Sequence, residues 1–155
     1  VLSAAKDAGI PVGFYGSKPE VLEALVEKMQ EQFPGLQVVY TCSPPFTPQS
    51  QGEGERVSSE INLAKPRILF IALGCPKQER WMAQHRGEVP AVMLGVGAAF
   101  DIHAGTLRQA PGWMQKMGLE WFFRLLMEPK RLWKRYLLSN SRFILFVMKS
   151  HISRI

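Results

Sequence analysis

Ile68-Leu69-Phe70-Ile71-Ala72-Leu73-Gly74-Cys75-Pro76-Lys77-Gln78-Glu79 is the stretch on which the fold turns. Six apolar residues in a row, without alternation, read as a strand covered on both faces. Gly74 then breaks the run, and Pro76 stands at an allowed early position of a helix expected from about Pro76 to His85. A strand that feeds straight into a helix is the repeating unit of a parallel sheet.

The same unit recurs on either side. Upstream, Val12-Gly13-Phe14-Tyr15 reads as a short buried strand, and Gly16-Ser17-Lys18-Pro19 as a turn with Pro19 opening a helix. Val21, Leu22, Leu25, Val26 and Met29 follow at helical spacing, and Pro34-Gly35 ends that helix. Leu36 to Tyr40 is the next strand, Thr41 to Phe46 a proline-stiffened loop, and Gln49 to Glu55 a polar stretch. Val57, Ile61 and Leu63 predict a short helix ending near Lys65-Pro66. Ala91 to Val96 is the last clear strand. The order predicts an α/β fold: a Rossmann-like, mostly parallel sheet with helices on both faces, followed by a basic helical C-terminal tail. The expected division is 1–112 for the sheet part and 113–155 for the tail.

Charge separates the same two parts. Residues 1–107 hold 9 Lys/Arg against 11 Asp/Glu, whereas residues 108–155 hold 10 against 2, so the C-terminal third alone is basic. From about Trp113 onward the chain reads as helical, with breaks expected at Pro129 and Ser139-Asn140. Arg124, Arg131, Arg135, Arg142 and Lys149 recur at spacings that return to one helix face. A basic, aromatic-rich helical end points to an anionic membrane surface or a polyanion, and its plain alternative is a docked tail with a solvated charged face.

Composition narrows the classes. Hydrophobic content of 46% with 21% charged residues fits one globular domain. Cys42 and Cys75 form no CxxC pair, which removes the usual zinc and thioredoxin-like patterns and any disulfide framework. No signal peptide is read, and the longest dense apolar stretch, Phe143 to Met148, is far short of the roughly 20 residues of a spanning helix. The chain opens at Val1-Leu2-Ser3-Ala4-Ala5-Lys6, without methionine and as if mid-helix, and is expected to be part of a longer protein.

Two turns at the carboxyl ends of strands carry the chemistry. After Gly74, the first turn of a helix presents Lys77, Gln78 and Glu79 where an anion or sugar is favoured. Gln78 can both donate and accept hydrogen bonds. After the last strand, Gly95-Val96-Gly97-Ala98-Ala99-Phe100-Asp101 lets a ligand lie against the backbone, and Asp101 either accepts from ribose hydroxyls or caps the next turn. Neither this tract nor Gly16-Ser17-Lys18 has the GxGxxG or P-loop spacing, which argues against a nicotinamide dinucleotide or P-loop site. His85, His103 and His151 have no metal spacing and read as structural or exposed. No histidine stands near Cys75 in sequence, so a catalytic cysteine is the minor reading.

These residues together resemble the bacterial WecG/TagA/CpsF glycosyltransferases. The resemblance rests on Gly74 to Glu79, Gly95-Val96-Gly97, Phe100-Asp101, Ala104-Gly105, Arg108, Ala110-Pro111, Gly118-Leu119-Glu120-Trp121, Arg124-Leu125, Glu128-Pro129, Arg131 and Arg135-Tyr136, dense from 66 to 136. It implies an inverting transferase that moves a sugar, N-acetylmannosamine or another hexose, from a UDP-sugar to a polyprenyl-diphosphate-linked acceptor. The products feed wall teichoic acid, enterobacterial common antigen or exopolysaccharide synthesis. It further implies no metal or other cofactor, no nucleic-acid partner, and work on the cytoplasmic membrane face.

By the same resemblance, Gln78 is the active-site glutamine and Asp101 lies near the uridine. Gly16, Gly74, Pro76, Glu79, Gly95, Gly97 and Phe100 belong to the nucleotide-sugar site. Arg108, Arg124, Arg131 and Arg135 serve the diphosphate from the tail side. The loop Tyr40-Thr41-Cys42-Ser43-Pro44-Pro45-Phe46 departs from the family's Gly-Thr-His-His-Gly-Tyr-Phe and resembles its exopolysaccharide branch. The general-base aspartate of the family's Pro-Asp-Gly motif has no counterpart in this sequence, so the chain alone is expected to be inactive. The competing expectation is a non-enzymatic basic module that binds anionic membrane or nucleic acid.

Overall fold

The computed structural model describes residues 1–45, 51–129 and 132–133, with no side-chain placement for 51–53. The chain forms two compact units, Val1–Arg108 and Gln109–Ile155. The first contains α1 (Leu2–Asp7), β1 (Val12–Gly16), α2 (Pro19–Gln32), β2 (Val38–Cys42), α3 (Gln51–Ala64), β3 (Ile68–Ala72), α4 (Lys77–Gln84), β4 (Val92–Gly95) and α5 (Ala99–His103). The second contains α6 (Gly112–Lys116) and α7 (Glu120–Met127).

Every strand pairing is parallel, and the order across the sheet is β2-β1-β3-β4. The continuous apolar runs explain the two inner positions. All five residues of β1 are buried, as are four of the five in β3, as strands with helices on both faces require. Alternation along the pleat splits their side chains between two cores. Val12, Phe14, Phe70 and Ala72 face one way, with Val21, Leu22, Leu25 and Met29 of α2, Ala5 of α1 and Phe100 of α5. Tyr15, Leu69 and Ile71 face the other way, with Val57 and Ile61 of α3 and Trp81 of α4. Placing α2 on one face and α3 and α4 on the other is what right-handed crossovers demand when the chain first steps from β1 to β2 and then returns past β1 to β3.

Several boundaries differ from the sequence expectation. β2 begins at Val38, because Leu36 is buried in the preceding turn, where its N–H donates to the Phe33 carbonyl at 3.0 Å. α3 already starts at Gln51, so the helix takes in much of the polar stretch despite Gly52 and Gly54. Pro76 is the residue before α4, not its first helical residue. After β4 only Val96 to Ala98 precede α5, which starts at Ala99. In the second unit a further break, ahead of the one expected at Pro129, falls at Gly118, whose φ of +70° ends α6 in a left-handed turn. α7 then stops at Met127, just ahead of Glu128-Pro129.

Candidate functional site

Because all four strands are parallel, their carboxyl ends meet along one rim. The chain leaves β1 for β2 on one side, while β3 and β4 lie on the other, so the topological switch sits between β1 and β3. Ligands of open α/β sheets bind in that crevice. Gly16 closes β1 there with a φ of +114°, and a methyl group on it would stand 2.6 Å from the Ala72 carbonyl group of β3. Ser17 continues the left-handed turn at φ +64° and donates its N–H to the Ala72 carbonyl at 3.0 Å. The Ser43 hydroxyl, at the end of β2, donates to the Ser17 carbonyl at 2.7 Å and ties the two neighbouring loops together. Ser17 reads from the sequence as part of the turn into α2 and Ser43 as part of the loop after β2, and their contact is not legible there because it joins residues 26 apart.

The two glycine tracts come together around Gln78. Its backbone N–H donates to the Gly74 carbonyl at 3.0 Å, which starts α4 directly after the turn. The side chain turns inward and is only 7% exposed. Nε2 donates to Glu79 Oε1 at 3.1 Å, while Oε1 is buried with no hydrogen-bond partner among the described residues. Gly95 provides the room: a Cβ there would meet Gln78 Nε2 at 2.9 Å and Met82 Cε at 3.0 Å. A Cβ on Gly97 would lie 3.6 Å from Gln78 Oε1. The loop after β4 is held in place by Val96 and Gly97, whose N–H groups both donate to the Ile71 carbonyl, at 2.9 and 3.3 Å.

The remaining expected positions fall into three groups. Gly74, Pro76, Glu79 and Asp101 lie at this end of the sheet, with Pro76 and Glu79 exposed and Asp101 half-buried. Asp101 sits in the first turn of α5 and caps nothing with its side chain. Its backbone carbonyl closes the next turn instead, accepting from Thr106 Oγ1 and from the Thr106 and Leu107 N–H groups, each at 3.0 Å. Phe100 points into the core, edge-on to Phe14 at 5.6 Å, and anchors α5. Arg108 is exposed at the end of the first unit. In the second unit Arg124 pairs with Glu120 at 3.0 Å. Arg131 and Arg135 lie outside the described residues, as do Arg142, Lys149 and the break expected at Ser139-Asn140.

An aromatic stack one helical turn along α4 from Gln78 is not legible in the sequence. Trp81 lies three residues on along the same face of α4. It packs on Tyr15 at 4.7 Å and on His85 at 4.1 Å, nearly parallel. His85 Nδ1 lies 2.8 Å from the Trp81 carbonyl oxygen, so this histidine is a buried structural residue, as the sequence indicated. On the same side of the sheet, burial drives the Tyr40 hydroxyl well above the ordinary phenol pKa, with Cys42, Glu60 and Tyr15 adding to the effect. Cys75 is exposed and unbridged. Among the described residues no group of three His, Cys, Asp or Glu forms a metal-ligand set, and no helix is long and apolar enough to cross a membrane. α7 exposes Trp121, Phe122, Leu126 and Met127.

Comparison with known proteins adds three findings. A sequence model of the glycosyl transferase WecG/TagA/CpsF family matches residues 1–155. The chain is 35% identical over 136 residues to an N-acetylglucosaminyldiphosphoundecaprenol N-acetyl-beta-D-mannosaminyltransferase of Bacillus subtilis, covering 87% of this chain and 50% of that protein. It is 32% identical over 139 residues to the enzyme of the same name from Bacillus spizizenii, covering 89% and 51%. The chain thus spans about half the length of the curated relatives it matches.

Proposed function

The chain belongs to the WecG/TagA/CpsF family of glycosyl transferases, and from that premise we propose that it is the nucleotide-sugar half of an inverting transferase. The donor is a UDP-sugar, as the family resemblance implies, and the acceptor a saccharide on a polyprenyl diphosphate, the kind of acceptor that the names of the two Bacillus enzymes give for those proteins. The product belongs to cell-surface polymer synthesis. The observation that carries the proposal is the meeting of Gln78 with Gly95 and Gly97 at the carboxyl rim beside the switch point. Those residues come from the two tracts on which the family resemblance rests.

In this reading the small residues of both loops let the donor approach the backbone, Gln78 binds it, and Asp101 accepts from the ribose. The acceptor hydroxyl attacks the anomeric carbon as the bond to UDP breaks, with inversion. Arg108, Arg124, Arg131 and Arg135 stabilise the charge that grows on the departing diphosphate, because guanidinium groups bind such oxygens in pairs. No metal is needed for that step. The proton of the acceptor goes to a general base, for which the family resemblance points to the aspartate of a Pro-Asp-Gly motif that is not among these 155 residues. The chain alone therefore binds UDP and turns over little or no donor.

The exposed apolar face of α7, set in the basic C-terminal third, supports attachment of this part to the inner face of the cytoplasmic membrane, where a polyprenyl acceptor is found. Titration calorimetry with UDP, UDP-N-acetylmannosamine and NAD tests the proposal. Binding of UDP and its sugar derivative, with none of NAD, is the expected result. A chain that ignores both uridine nucleotides and binds nucleic acid with a steep salt dependence is a basic module instead.

A further inference from the structure

Gln78 has two amide atoms of opposite character, and its surroundings treat them differently. Nε2 donates to Glu79 Oε1 at 3.1 Å. An ionised carboxylate only accepts, so the amide end that faces it is the nitrogen. Oxygen is left on the other side, buried and without a partner among the described residues, on a side chain 7% exposed. A buried acceptor in that state is unfavourable by about as much as a lost hydrogen bond, so native proteins seldom leave one unmade. The oxygen is the atom nearest to where a Gly97 side chain would begin, at 3.6 Å, whereas Nε2 is the nearest to Gly95, at 2.9 Å, so the oxygen lies toward the Gly97 end of the second glycine tract.

We propose that Glu79 is a positioning residue that fixes the Gln78 amide with Oε1 toward the ligand, so that the group received there is a hydrogen-bond donor, a hydroxyl or an amide N–H. The inference rests on the nucleotide-sugar reading above and narrows it. A diphosphate offers only acceptors and does not satisfy Oε1, whereas the sugar and the nucleoside both carry donors. Glu79 itself is exposed and negative, which makes it a poor direct contact for an anionic ligand but a suitable clamp for an amide.

The test is calorimetric titration of the 155-residue chain with UDP and with UDP-N-acetylmannosamine, in the wild type and in Glu79→Lys, Glu79→Gln and Gln78→Met. Lysine only donates, so Glu79→Lys turns the amide over and presents Nε2. Affinity is expected to fall about tenfold or more. Coulomb attraction alone predicts the reverse, since a positive charge replaces a negative one beside an anion. Glu79→Gln keeps an oxygen for Nε2 and is expected to stay within about threefold of wild type. Gln78→Met, apolar and of similar length, is expected to lose the same ligand as Glu79→Lys. Loss confined to UDP-N-acetylmannosamine places the donor on the sugar; equal loss of UDP places it on the nucleoside. Unchanged or tighter binding by Glu79→Lys, equal losses in Glu79→Lys and Glu79→Gln, or full affinity in Gln78→Met each overturn the proposal and leave the nucleotide-sugar reading standing. A wild-type chain that binds neither ligand overturns that reading itself.

Discussion

At Gly95 even a methyl group intrudes on the site, and at Gly16 it intrudes on the sheet. The difference lies in what each methyl would strike. A Cβ on Gly95 meets the tips of Gln78 and Met82, which can swing aside. Gly95→Ala is therefore expected to cost about 1 kcal/mol of stability while weakening UDP-sugar binding about tenfold, because the amide is displaced. Paired urea melts and titrations check both numbers. A Cβ on Gly16 meets the Ala72 backbone at 2.6 Å in a left-handed conformation. Gly16→Ala is expected to cost about 3 kcal/mol or more, read as a lower urea midpoint. Tyr40 gives a pH-dependent case. Burial raises its pKa above the unfolded value, so its neutral form stabilises the fold below about pH 10 and that contribution is lost as pH rises beyond it. Tyr40→Phe is expected to change stability by less than about 1 kcal/mol near neutrality. Above about pH 10 it is expected to lose less stability than wild type, as urea midpoints at the two pH values will show.

Among the elements, α4 has the most to do, since one face of a single short helix carries both Gln78 and the core anchor Trp81. Trp81 is 4% exposed between Tyr15 and His85. Trp81→Ala is expected to cost about 3–5 kcal/mol by cavity formation, and to weaken ligand binding because α4, which carries Gln78 one turn earlier, loses its anchor in the core. Thermal unfolding and UDP titration of the same sample separate the two effects. The elements themselves were legible where local rules dominate. Ile68 to Ala72 announces a doubly covered strand, Pro19 a helix start, and Gly95 and Gly97 a close backbone approach. What stayed hidden depends on tertiary partners. That Gln78 turns inward, that Phe100 belongs to the core, and that Ser43 holds the Ser17 carbonyl are set by residues far away in the chain. The sequence understates the length of α3 because Gly52 and Gly54 weaken the helical pattern, while packing of Val57 and Ile61 on β3 restores it.

For the whole molecule, the division between Val1–Arg108 and Gln109–Ile155 has a direct consequence for stability. Both core clusters end by Ala104. Residues 1–108 expressed alone are expected to unfold in one cooperative transition, within a few kcal/mol of the full chain, as measured by circular dichroism in urea. The parallel pairing also governs how fast such a molecule forms. Val12 must find Val38 on one side and Ile68 on the other, and Ile68 must find Val92. Among the described residues no hairpin is available to nucleate this sheet, so loop-closure entropy is spent before any strand is rewarded, and folding belongs to the slower range of small domains. The rim around Gln78 is assembled from the ends of all these distant segments. In a cooperative transition it exists only when the sheet is fully paired, so a change that opens one strand pairing at a distance is expected to dismantle the rim as well.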